Sequence, residues 1–322
     1  MRTFDVVALG ELLIDFTENA LSEQGNPVLE ENPGGAPCNV LAMLRKLGHR
    51  TAFIGKVGQD LWGERLKKTV EEVGIDTRNL LMDRDVRTTL AFVSRKPDGD
   101  RDFAFYRNPG ADMQLCAREV QEELIADSRI FHFGSLSMTH PLCREATREA
   151  LRMAKRHGCM ISFDPNLREP LWNSLEEARE QISYGLGKCD VLKISDNELQ
   201  WFTGTEDFDE GVSILQSRYG IPLILLSKGG DGSSAYCRGM RVDALPFPQE
   251  NTIETTGAGD TFCACALHYL LDHELKDLQA EDLREMLTFA NAAAALITTR
   301  KGALRVMPTR EETEALIASR AR

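Results

Sequence analysis

An α/β fold is what this sequence predicts: a mostly parallel sheet covered by helices on both faces, with a smaller β-rich unit beside it. Three observations predict it. Apolar runs of strand length recur along the chain, stretches of helical apolar spacing separate them, and two short β-rich regions interrupt the alternation early on. With 322 residues, 42% of them hydrophobic, the chain has the material for one large domain and a small appendage.

The expected buried strands are Asp5 to Gly10, Thr51 to Val57, Ile130 to Gly134, Met160 to Asp164, Val191 to Ile194 and Leu223 to Ser227. Between them, Asn39 to Leu47, Leu61 to Val73, Pro141 to His157 and Leu175 to Gly187 carry apolar residues at helical spacing. Thr88 to Ser94 and Arg101 to Arg107 flank Pro97-Asp98-Gly99-Asp100 and read as a hairpin, and Glu11 to Thr17 and Val28 to Asn32 read as further short strands. Together these make a small sheet of their own, or else ordinary edge strands of the main one. Leu287 to Thr299, Ala-rich and apolar almost all round, reads as a helix packed in the interior.

Charge and composition narrow the function classes. Lys and Arg number 38 against 50 Asp and Glu, a net charge of −12 without any basic run, which argues against a nucleic-acid partner. No stretch is long enough to cross a bilayer, and the opening Phe4 to Gly10 fits a first strand better than a signal peptide. Eight cysteines without Cys-x-x-Cys spacing and six histidines without a ligand pattern fit a cytoplasmic protein with reduced thiols and no tightly held zinc.

The chemistry concentrates in Thr255-Thr256-Gly257-Ala258-Gly259-Asp260-Thr261-Phe262, which runs into the apolar stretch Cys263 to Leu271. This is a strand-to-helix turn shaped for an anion: Gly257 and Gly259 bring backbone N–H groups close to a phosphate, and the helix adds its positive end. Asp260 sits where it meets an attacking hydroxyl, so the turn reads as phosphoryl-transfer machinery; the plainer alternative is a tight turn with Asp260 at a helix start. Gly34 and Gly35 precede Asn39, which either faces a polar ligand or caps a helix. Asp15 lies just past the first strand, at the sheet end where ligands bind. Ser227, Gly229 and Gly232 follow a buried strand and offer exposed backbone to a nucleotide, yet match neither a P-loop nor a dinucleotide fingerprint. Ser195 to Glu198 matches a helix capping box. Arg107 and Arg168 either place positive charge over a ligand or form ordinary structural pairs.

Taken in order, Gly34 to Asn39, Gly58 to Gly63, Asp164 to Asn166, Ser195 to Glu198, Ser227 to Gly232 and Thr256 to Asp260 resemble the ribokinase-like carbohydrate kinases, the PfkB family, over nearly the whole chain. Arg107 to Asp112 and Gly34 to Asn39 look most like bacterial fructokinases. The resemblance implies a three-layer α/β/α domain (1–10, 33–86 and 109–322) and a β-sheet lid (11–32 and 87–108), which in some members also forms a homodimer. It implies Asp260 as proton acceptor, ionised at neutral pH, and Gly257, Ala258 and Gly259 as donors to the transferring phosphoryl group. Asp15, Gly34, Gly35, Asn39, Arg107 and Arg168 would face the sugar, and Lys193, Ser195, Ser227, Gly229, Gly232 and Asn291 the nucleotide. Mg2+ would arrive with ATP, with Glu198 reaching it through water. Many members bind a monovalent cation such as K+ with an Asp where this chain has Glu254; Arg300-Lys301-Gly302-Ala303 resembles the rest of that loop. The implied reaction is ATP-dependent phosphorylation of a primary hydroxyl, D-fructose to fructose 6-phosphate. A 2-keto-3-deoxygluconate kinase, with Arg107 and Arg168 clasping a carboxylate, and a non-catalytic sugar-binding regulator are the competing expectations.

Overall fold

The computed structural model describes residues 2–95 and 101–320. Along the chain run β1 (Phe4–Leu9), β2 (Leu13–Leu21), β3 (Pro27–Gly34), α1 (Ala36–Lys46), β4 (Thr51–Gly58), α2 (Leu61–Glu72), β5 (Asp76–Asp83), β6 (Leu90–Arg95) and β7 (Arg101–Tyr106). There follow α3 (Glu122–Ala126), β8 (Ser128–Gly134), α4 (Pro141–Arg156), β9 (Met160–Asp164), α5 (Leu175–Leu186), β10 (Val191–Ser195), α6 (Asp196–Thr203) and α7 (Phe208–Tyr219). The last third holds β11 (Leu223–Ser227), β12 (Ser233–Cys237), β13 (Met240–Ala244), α8 (Ala258–Asp272), α9 (Ala280–Ile297) and α10 (Arg310–Arg320).

The main sheet has the order β13-β12-β11-β10-β9-β8-β1-β4-β5, parallel from β11 to β5 and antiparallel only at its β12 and β13 edge. Alternate residues of each strand serve opposite layers. Val6 and Ala8 pack into one core with α1, α8 and α9, while Val7 and Leu9 pack into the other with α4 and α5. Leu223 and Leu225 against Ile224 and Leu226 repeat the division on β11. Burial on both faces is why these strands read as continuous apolar runs.

The β-rich segments form a separate four-stranded sheet, β3-β2-β6-β7, rather than extra edge strands. Two antiparallel hairpins, β2–β3 and β6–β7, join through a parallel β2–β6 pair in which Phe16 lies opposite Phe92. Phe16 stacks on Phe92 at 5.1 Å and meets Trp62 of α2 edge-on at 5.1 Å, which seats the small sheet against the main domain. The turn expected at Pro97-Asp98-Gly99-Asp100 lies outside the described residues. In the main sheet, strand order reverses around β1: β4 and β5 lie to one side, β8 to β11 to the other. The crevice at the carboxyl ends of such strands is where α/β sheets bind ligands, and the small sheet stands over it. Among the described residues, no helix is long and apolar enough to cross a membrane. All eight cysteines are free.

Candidate active site

A cavity of about 690 Å³ opens between the carboxyl end of the main sheet and the small sheet. From the turn after β1 comes Glu11, from β2 of the small sheet Asp15, from the end of β3 and the start of α1 Gly34, Gly35 and Asn39, and from the head of α8 Gly257, Gly259 and Asp260; Asp15, expected at the end of the main sheet, thus enters from the small sheet instead. Arg168 and Lys193 complete the wall opposite, and Glu254, Gly302 and Ala303 the end nearest the small sheet. A second hollow of about 450 Å³ is lined by Ser227, Gly229, Gly232, Phe247, Phe262 and Asn291. Thr252, Thr255 and Gly259 line both, so the two meet at the glycine turn before α8.

That turn is a helix start in a left-handed conformation. Gly257 caps α8 with φ 77°, and a methyl there would stand 3.0 Å from Ala303 Cβ. Ala258 N–H closes the turn on the Thr255 carbonyl at 3.2 Å, so this amide, expected to face an anion, is engaged within the protein. Asp260, in the first turn, is buried, and Asn39 Nδ2 donates to its Oδ2 at 2.8 Å. Burial raises the Asp260 carboxyl above the usual range, against the helix-start expectation of an easily ionised acid; the Asn39 hydrogen bond, Lys193 and Arg168 pull it back down.

Asn39 is not a helix cap. The helix begins three residues earlier, after Gly35, with Pro37 in its first turn; at Gly35 a φ of 133° and the 2.4 Å that would separate a methyl from the Glu11 carbonyl oxygen leave room only for glycine. Asn39 thereby falls one turn inside α1 and points at Asp260, while its Oδ1 is buried without a hydrogen-bond partner. Glu11, which no motif marks, braces the same turn: its Oε1 accepts from Ala36 N at 2.9 Å. Burial pushes the Glu11 carboxyl up to about 7. Burial lifts Asp15 to about 7 as well, with Arg168 opposing and Glu254 adding to the rise.

Lys193 belongs to this cavity more than to the second hollow. Its ammonium lies 3.1 Å from Asp164 Oδ2, and a methyl on Gly259 would stand 3.0 Å from Nζ. Burial works against its charge, but Asp164, Glu198 and Asp260 together hold it protonated above the ordinary lysine range. Arg168 is exposed, and among the described residues its side chain hydrogen-bonds its neighbour, Leu167 O at 3.1 Å.

Arg107 does not line either cavity. Its guanidinium is buried behind the wall, giving Nε to Asp112 at 2.8 Å, one amino group to Thr139 Oγ1 at 2.8 Å and the other to the Leu136 carbonyl at 3.1 Å. This corrects its expected place facing the ligand: a buried guanidinium needs its donors filled, and Asp112, five residues on, fills them. Ser195 and Glu198 form the capping box and line neither cavity; Glu198 also accepts from Leu167 N at 2.7 Å, tying down the loop that carries Arg168. Asn291 reaches the second hollow, but its amide already accepts from Ser233 and donates to Ala244 O and Leu245 O. Glu254, at the position where many family members carry a cation-binding Asp, accepts from Gly302 N at 2.7 Å through Oε1. Among the described residues no group of three His, Cys, Asp or Glu side chains could hold a metal ion.

The sequence matches the family model described as pfkB family carbohydrate kinase over residues 3–310. It is 41% identical over 306 residues to a probable fructokinase-2 of Arabidopsis thaliana, covering 94% of this chain and 93% of that one, and 40% identical over 314 residues to fructokinase-1 of Zea mays, covering 97% of each. Among solved structures it resembles a Xylella fastidiosa fructokinase with bound ATP (TM-score 0.89, 30% identity, 99% of each chain). It also resembles a double mutant of a Vibrio cholerae O395 fructokinase bound to fructose, ADP and potassium (TM-score 0.87, 29% identity, 98% of this chain and 99% of that one). With the glycine turn, its buried acid and two adjoining cavities in one crevice, and a family match over nearly the full length, this chain belongs to the pfkB family of carbohydrate kinases.

Proposed function

We propose that the protein is an ATP-dependent fructokinase that converts D-fructose to fructose 6-phosphate. One observation carries the reading: Asp260 lies, oriented by Asn39, in a cavity with ample room for a sugar that meets a second hollow at Gly259. A hydroxyl in the first and a terminal phosphate arriving from the second converge there. Asp260 takes the proton of the primary hydroxyl as its oxygen attacks the γ-phosphorus, and ADP leaves with the bridging oxygen. Gly257 and Gly259 N–H groups, the positive end of α8 and the Lys193 ammonium face the charge that moves onto the phosphoryl oxygens.

Asp15, Gly34, Gly35, Arg168 and the unpartnered Oδ1 of Asn39 hold the sugar hydroxyls. The second hollow takes the nucleotide, with Ser227, Gly229 and Gly232 along the phosphates and ribose, and Phe247, Ala294 and Ala295 against the base. Mg2+ comes on the ATP, since both Glu198 oxygens are already engaged and leave it an outer-sphere role. Bound with the nucleotide, it would supply positive charge that offsets the charge on the phosphates.

The small sheet, formed mainly from residues 11–32 and 87–108, serves as a lid that excludes water from the phosphoryl group. Its exposed Leu21, Val28, Leu29 and Tyr106 are the apolar surface on which a homodimer would form. A keto-acid clamp needs two arginines in the cavity, and Arg107 is committed to Asp112.

The test is ADP release from Mg-ATP against fructose, ribose, glucose, 2-keto-3-deoxygluconate and nucleosides. Turnover on fructose with loss of at least about a thousandfold in Asp260→Asn, while the variant still binds ATP, is expected. Preference for the keto acid, or a fully active Asp260→Asn, overturns the assignment.

A further inference from the structure

We infer that Glu254 is a positioning residue that joins the lid to the anion hole, an inference resting on the kinase reading above. Three consecutive residues make the junction. Lys301 reaches across to the small sheet, where its ammonium meets Asn19 Oδ1 and stands 3.9 Å from Glu30. Gly302, with φ 74°, lies against Asn32 of β3; a methyl on its α-carbon would sit 3.0 Å from Asn32 Oδ1. Ala303, buried, packs against Gly257 at the head of α8. A movement of β2 and β3 therefore reaches the glycine turn through residues 301–303.

Glu254 fixes that segment in place. Its backbone is clamped first: Ile253 N and Glu254 N both donate to the Thr298 carbonyl, at 2.8 and 3.2 Å. From this anchor, three residues before Gly257, the buried carboxylate receives Gly302 N at 2.7 Å. A hydrogen bond from an amide to a buried carboxylate is charge-assisted and among the stronger links available to a loop. The two sides of the anion hole, residues 254–257 and 301–303, are thus sewn together by a side chain of the protein itself. The Vibrio cholerae fructokinase named above binds potassium. In this chain the Glu254–Gly302 bond supplies a link between the two loops, and turnover does not depend on a monovalent cation.

The experiment compares wild type with Glu254→Ala, which lacks the acceptor, and Glu254→Gln, whose amide oxygen reaches the same N–H. Steady-state kinetics are read with potassium or tetramethylammonium as the only monovalent cation, alongside hydrogen exchange of residues 254–261 and 300–304 on the full chain. Expected are equal wild-type rates in the two cations, and kcat down about tenfold or more in Glu254→Ala with KM for ATP little changed. Glu254→Gln should stay within about threefold of wild type. Exchange should quicken in both segments of Glu254→Ala and in neither segment of Glu254→Gln. Wild-type turnover that collapses without potassium, or a folded Glu254→Ala with unaltered kcat and exchange, overturns the inference. If wild type turns over no sugar at all, the functional reading fails instead, and the exchange data still decide whether Glu254 couples the two loops.

Discussion

Replacing Asn39 by Leu keeps the bulk of the side chain and removes the donor to Asp260. In wild type that donor lies 2.8 Å from Asp260 Oδ2 in a buried pair, and it opposes the rise that burial imposes on the acid. A hydrogen bond to a charged group is worth about 1.5–3 kcal/mol, so its loss strengthens proton binding at the carboxylate by roughly ten- to a hundredfold. In the mechanism proposed above, the carboxylate is the form that accepts the sugar proton. The variant should therefore lose kcat/KM at neutral pH, and the acid limb of its pH–rate profile should move to higher pH, with activity partly recovered under alkaline conditions. The assay is coupled ADP release with saturating Mg-ATP across the pH range, for wild type and variant side by side. A variant that loses rate equally at every pH, its acid limb unmoved, would refute the argument and reduce Asn39 to a sugar contact.

Two further outcomes follow from the packing. Gly35→Ala combines a φ of 133° with a methyl only 2.4 Å from the Glu11 carbonyl oxygen, and should cost about 2–5 kcal/mol of stability; an unchanged urea midpoint would contradict it. Half-buried His268 accepts from Arg310 at Nε2 (2.7 Å), so its Nδ1 carries the proton and gives it to His49 Nε2 at 2.6 Å. Burial, with His49 and Arg310 adding to it, lowers His268 to about 4, whereas an unfolded histidine titrates near 6.5. Its contribution to stability is complete above about pH 6.5 and fades as the pH falls toward 4. The stability difference between wild type and His268→Gln, measured by denaturant melts at several pH values, should shrink over that window. A constant difference would sink this account.

Much of the fold was legible because burial on both faces of a parallel sheet writes itself as apolar runs, and β4, β9, β10 and β11 fall within a residue of the expected bounds. The small sheet was legible for a different reason: its strands carry β-rich composition around polar turns. At the site, the glycines and Asp260 announce themselves through local backbone chemistry. What stays hidden is pairing across the sequence. Asn39 and Asp260 are 221 positions apart, and a Pro-Gly turn followed by Asn offers a local explanation that is wrong only because α1 starts at Ala36. Arg107 misleads in the opposite sense, since the acid that occupies it is five residues away, yet nothing in the spacing says that both are buried. Glu11 sits two residues past the end of β1, the sheet end at which Asp15 was expected, and that signal was available; Asp15 itself belongs to β2 of the small sheet.

The parallel pairing of β2 with β6 makes the two hairpins of the small sheet halves of one object. Neither half closes alone. A nascent chain that has emerged as far as β3 presents β2 with one side unpaired, and that row of amides and carbonyls finds its partner only after α1, β4, α2 and β5 have been made. Excising either hairpin from the finished protein would leave the other with a raw strand edge, open to a second molecule. The small sheet is therefore late to assemble and cannot be trimmed piecemeal; an engineer who wanted the bare α/β domain would have to bridge both gaps at once.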